Sequence, residues 1–174
     1  MKASDAIARW LRYHGIRHVY LVSGGGNLHL IKSLADCDGI NYVPMQHECE
    51  AGFAADATAR LTGIGCALST SGPGATNMIT AVASSWFDSV SCLYLTGNVT
   101  RARMSGDSGV RQTGFQETDI CKIVEPVTKF CETVMMPERV LPALNEAHIA
   151  MMSGRRGPAL IDLPDDIQRA EITC

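Results

Sequence analysis

Residues 41–69 read NYVPMQHECEAGFAADATARLTGIGCALS, and this stretch changes its hydrophobic rhythm twice. Residues 40–44 form a short strand-like run that ends at Pro44. A segment of alanine, glycine and threonine follows over 47–62, and Gly63 stops it. The run GCALS at 65–69 then reads as a second strand. Strand, helix and strand with short connections make one crossover unit, which places the two strands parallel. The same stretch poses a chemical question. A carboxylate, Glu48, sits at the strand-to-helix junction, and the helix behind it is built from side chains too small to fill a core.

The alternation continues in both directions. A helix over 3–14 carries Ile7, Trp10 and Leu11 at helical spacing and stops at Gly15. A strand at 18–22 ends in Ser23-Gly24-Gly25-Gly26, and a short helix at 27–35 leads back to residue 40. Beyond Ser69, the turn Ser71-Gly72-Pro73-Gly74 opens a helix to about 86, and 91–96 is a further strand. Residues 97–116 lapse into a polar, glycine-containing loop, long enough to suggest function or mobility. Short helix, strand, helix and strand are expected near 117–123, 127–134, 138–152 and 158–163, with Pro142 tolerable only in a first helical turn. Apolar strands without clean alternation belong to a sheet covered on both faces. The expected fold is therefore α/β: a three-layer, doubly wound, flavodoxin-like domain over 1–174 with a six-stranded, mainly parallel sheet.

Bulk properties narrow the function. The chain has 174 residues, 46% hydrophobic and 19% charged, with a net charge of -3. That balance suits a globular domain and offers nucleic acid no basic footprint; Arg101, Arg103 and Arg111 read as loop residues. No run approaches the roughly 18 apolar residues of a membrane span, and Lys2, Asp5 and Arg9 interrupt any signal-like segment. The seven cysteines include no C-x-x-C, so neither zinc nor disulfides are expected, and a reduced, cytoplasmic setting fits best.

The polar and glycine clusters fall after strands, at the sheet edge where α/β folds bind ligands. Individually they stay ambiguous. Gly24-Gly25-Gly26-Asn27 lacks the third glycine of a dinucleotide fingerprint, His29 standing in its place, and equally suits a tight turn in which Asn27 caps the next helix. Thr70 to Asn77 resembles a phosphate loop without its lysine, and Pro73 could be plain helix punctuation. His47-Glu48 is not a zinc motif, since Ala51 occupies the second histidine's place. Glu48 could simply favour a helix N-terminus.

Taken together, QHECEAGFAADATARLTG, STSGPGATNMITAVASSWFDSV, LYLTGNV, GFQETDI and GPALIDLPDDIQ are specific. Their order and spacing resemble the N-terminal pyrimidine-binding domain of thiamine-diphosphate enzymes, in the acetolactate-synthase-like and pyruvate-oxidase-like branch. The resemblance implies that Glu48 hydrogen-bonds N1′ of the cofactor's aminopyrimidine and favours the tautomer whose exocyclic nitrogen takes the C2 proton. It implies that Ser71, Pro73 and Asn77 line the pyrimidine and that Gln116 faces cofactor or substrate. Apolar walls around Glu48 would raise its pKa. The small residues Ala51, Gly52, Ala54 and Ala55 would pack closely against a partner subunit.

The resemblance further implies a 2-keto acid substrate, with pyruvate the default, and a homodimer. The family's diphosphate and Mg²⁺ are held by a separate domain carrying G-D-G. That motif is absent here, Gly106-Asp107-Ser108 being the nearest approach. The expected function is thus the pyrimidine half of an enzyme that decarboxylates and ligates 2-keto acids, inactive alone. It would be a fragment of a long chain or, alternatively, one subunit of a split decarboxylase. A non-catalytic nucleotide-binding module on the same scaffold is a further alternative. Nothing in the sequence indicates FAD. Departures from the family at Val22, Ser23, Ser91 and Met104 to Thr113 leave the substrate open.

Overall fold

A computed structural model describes residues 1–173. The elements in chain order are α1 (Ala3–Tyr13), β1 (His18–Leu21), α2 (Leu28–Ala35), β2 (Asn41–Pro44), α3 (Glu48–Thr62) and β3 (Gly65–Ser69). They continue with α4 (Pro73–Asn77), α5 (Ile79–Phe87), β4 (Cys92–Asn98), α6 (Ile120–Val124), β5 (Phe130–Thr133), α7 (Val140–Met152), β6 (Ala159–Pro164) and α8 (Asp165–Gln168). The six strands form one sheet in the order β2-β1-β3-β4-β6-β5. Every pairing is parallel, one step beyond the mainly parallel sheet expected.

Side chains alternate across the sheet, and both faces of β3, β4 and β6 are buried, while the edge strand β2 is largely exposed. Leu68, Leu93, Leu95, Ile161 and Leu163 pack under α1, α2 and α7. Ala67, Cys92, Tyr94 and Leu160 face α5 and α6. The chain leaves β1 toward β2 on one side, while β3 lies on the other. That reversal opens a crevice at the carboxyl ends of β1 and β3.

Local chemistry explains several boundaries. Gly63 ends α3 in the left-handed region, φ 93°, which glycine adopts without steric cost. Pro73 takes the first position of α4, where its missing N–H costs nothing. The helix expected from this turn to residue 86 is broken in two at Met78. Pro142 lies in the first turn of α7. The helix expected near 117–123 starts later, at Ile120, because the Asp119 carboxylate caps it by accepting from the Lys122 N–H.

Three of the four small residues expected to meet a partner subunit pack inside this chain, and the fourth, Ala54, is half-buried. Ala51, Gly52 and Ala55 are buried within this chain, and a Cβ on Gly52 would lie 2.5 Å from the Ala81 Cβ of α5. Between these helices lies a polar network. Asp56 accepts from Ser85 Oγ and from Arg60 Nε, each at 2.6 Å, and Ser85 Oγ is 2.9 Å from the Tyr94 hydroxyl.

Candidate functional site

Glu48 is the first residue of α3, and His47 before it is the cap: the His47 Nδ1 accepts from the Cys49 N–H at 3.1 Å. The imidazole satisfies the helix end, so the Glu48 carboxylate is left for other contacts. It points across to α4, where Asn77 Nδ2 donates to Glu48 Oε2 at 2.9 Å. Glu48 Oε1 has no hydrogen-bond partner among the described residues. It faces the bare backbone of Gly74, where a Cβ would lie 3.4 Å from it and 2.7 Å from Thr70 Cγ2. Glu48 is half-buried rather than enclosed. The apolar walls expected around it are not supplied by this chain alone.

Thr70 is the hinge between Glu48 and the crevice. Its Oγ1 accepts from the Gly26 N–H at 3.0 Å, and its side chain fills the space a Cβ on Gly24 would need. Asn27 does not cap α2 as expected. Its side chain turns back into the loop, accepting from the Gly24 N–H and donating to Val22 O, and so shapes the first turn itself. Gly97 closes the far side, since a Cβ there would sit 1.9 Å from Gly26 O. The resulting cleft, of about 410 Å³, is lined by Gly24, Thr70, Ser71, Arg103, Gln116 and Asp165 among others.

The structure therefore divides the expected site residues into two neighbouring groups. Glu48, the first residue of α3, pairs with Asn77, the last residue of α4, whose first residue is the exposed Pro73. Ser71 and Gln116 line the cleft. Gly72, at φ 58°, joins the groups, because a Cβ on it would lie 2.4 Å from Gln116 O. Gln116 itself has φ 58°, an uncommon conformation for a residue with a side chain, which the packing on Gly72 maintains.

Sequence reasoning missed what holds the cleft in place. Glu117 accepts from Ser105 N and Oγ and from the Thr113 and Gly114 N–H groups, tying the long loop onto itself. Partial burial works against its charge, yet these donors win and hold its carboxyl below the usual range. Gln168, on the unforeseen α8, donates to Gly26 O at 2.6 Å and to Leu163 O at 2.8 Å. Asp162 on β6 lies fully buried and accepts from Thr96 and Asn98 of β4 and Thr133 of β5. Burial pushes its carboxyl up to about 6, against those three hydrogen bonds. In the sequence each was one polar residue in an ordinary-looking segment, with no local signal.

Among the described residues no group of three or more His, Cys, Asp or Glu could hold a metal ion, and the six cysteines are free. Cys174 lies outside the described residues. No helix among them is long and apolar enough to cross a membrane.

A family model described as thiamine pyrophosphate enzyme, N-terminal TPP binding domain, matches residues 1–123. An acetolactate synthase of Arthrospira platensis is 41% identical over 93% of this chain and 28% of its own length. The acetolactate synthase large subunit of Corynebacterium glutamicum is 38% identical over 99% of this chain and 27% of its own. The acetolactate synthase isozyme 3 large subunit of Escherichia coli is 36% identical over 96% and 28%. The chain thus spans little more than a quarter of these relatives.

Proposed function

The chain belongs to the thiamine pyrophosphate enzymes through their N-terminal TPP-binding domain, and from that premise we propose that it is the half that activates the cofactor's pyrimidine in an enzyme acting on 2-keto acids. The observation that carries the reading is the Glu48–Asn77 pair. Asn77 occupies one carboxylate oxygen and fixes its plane, while the other faces the bare Gly74 backbone. A flat ring can approach there as it could not approach a side chain. When bound, thiamine diphosphate supplies an acidic C–H whose loss creates the nucleophile for a keto carbon.

Glu48 would hold a proton at its free oxygen, directed at the pyrimidine N1′ of the bound cofactor. Asn77 keeps that oxygen aimed, and Pro73 gives the ring a rigid apolar edge. The residues present fit a pyrimidine. The G-D-G motif with which the family holds a metal-bound diphosphate does not occur in this sequence. Mg²⁺ and the diphosphate are therefore assigned to a complementary domain, in the same polypeptide or another. That domain, or a second copy of this one, would also shield the open side of Glu48. The relatives' name, acetolactate synthase, supports a 2-keto acid as substrate.

In the complete enzyme, Glu48→Gln is expected to lower turnover by roughly 10²- to 10⁴-fold while the melting temperature holds. Near-normal turnover would overturn the proposal. Nucleotide binding with no response to thiamine diphosphate would favour a non-catalytic module instead.

A further inference from the structure

The loop between β4 and α6 carries three arginines with different surroundings. Arg101 anchors the loop: its Nε donates to Asp166 Oδ2 at 2.7 Å and its Nη1 to Met135 O at 2.8 Å. Arg111 lines a neighbouring cavity beside Glu117. Arg103 lines the switch-point cleft, is exposed, and its guanidinium meets no acceptor among the described residues. Its backbone is held in place, because a Cβ on Gly114 would lie 2.9 Å from Arg103 O. That contact sets Arg103 beside Phe115 and Gln116.

The other charged group lining the cleft, Asp165, is engaged by His29 Nε2 and Arg169 Nη2, each at 3.4 Å. The free charge offered to a ligand is thus the positive one. Apolar Val99 and Phe115, with the hydroxyl of Ser71, complete a space suited to a small anion with an apolar end. Once a complementary domain covers this edge, a guanidinium without an anion would be costly to bury. Its planar fork matches a carboxylate's two oxygens.

We propose that Arg103 receives the carboxylate of the incoming 2-keto acid and so selects an anionic substrate; this rests on the function proposed above. The same chemistry could serve the cofactor's diphosphate, and the test separates the two. In the complete enzyme with pyruvate as probe, Arg103→Gln should raise KM roughly 10- to 100-fold, the loss of a charge-assisted pair, with most of the loss in KM rather than kcat. Arg103→Lys should recover part of it, and inhibition by oxalate should weaken in parallel. Affinity for thiamine diphosphate and its C2 hydrogen exchange should stay within about twofold. An unchanged KM in a folded variant overturns the proposal. So does a fall in cofactor affinity with KM unaltered at saturating cofactor, which would assign Arg103 to the diphosphate. Normal C2 exchange in a Glu48→Gln control would instead sink the function proposed above, whatever Arg103 does.

Discussion

Removing the buried charge of Asp162 should change how stability depends on pH. Its carboxyl, fully buried and without a cation, is pushed up to about 6 from the ordinary 3.8, and desolvation is the largest cause. Between those values the folded state binds more protons than the unfolded one, so stability falls as pH rises. The stabilising contribution is complete below about 3.8 and lost as pH passes 6. At about 1.36 kcal/mol per pH unit, the difference corresponds to about 3 kcal/mol. Asp162→Asn keeps the shape and removes the charge. The new amide nitrogen can face Thr96, whose hydroxyl can accept, while its oxygen takes the Asn98 and Thr133 donors. Urea unfolding at intervals from pH 4 to 8 is the assay. Wild type should lose up to about 3 kcal/mol more than the variant across that range. Parallel curves would refute the reasoning.

Three further outcomes follow from the packing. Asp56→Ala leaves Ser85 without its buried acceptor and should cost about 1.5–3 kcal/mol in chemical unfolding; a negligible change would show that the network is solvated. Glu117→Gln removes the charge that gathers the 105–117 loop, and amide exchange at Ser105, Thr113 and Gly114 should accelerate roughly tenfold or more. Gly97→Ala forces a Cβ against Gly26 O, and an overpacking cost of about 1–3 kcal/mol should appear as a lower melting temperature.

Much of the architecture was written locally. The strand at 65–69 matches its expected limits because an apolar run lies between Gly63 and the Ser71-Gly72 turn. The end of α3 and the start of α4 follow from Gly63 and Pro73. Strand order was not written there: β6 inserts between β4 and β5 through contacts far apart in sequence. The site divides similarly. The strand-to-helix junction drew attention to Glu48, but its role, and the choice of Asn77 and Gln116, came from the resemblance to a family. The positive φ of Gln116 depends on Gly72, and the buried acid in ALIDLP reads locally as one polar position in an apolar strand. Such residues acquire a role only through partners distant in sequence, Gly72 for Gln116 and the β4 and β5 donors for Asp162.

The most direct test of the central claim is the rate at which C2 of bound thiamine diphosphate exchanges hydrogen for deuterium in the complete enzyme. With Glu48 intact, exchange should be orders of magnitude faster than for the free cofactor, and Glu48→Gln should abolish most of that acceleration while cofactor stays bound. Equal exchange rates in the two proteins would contradict the account.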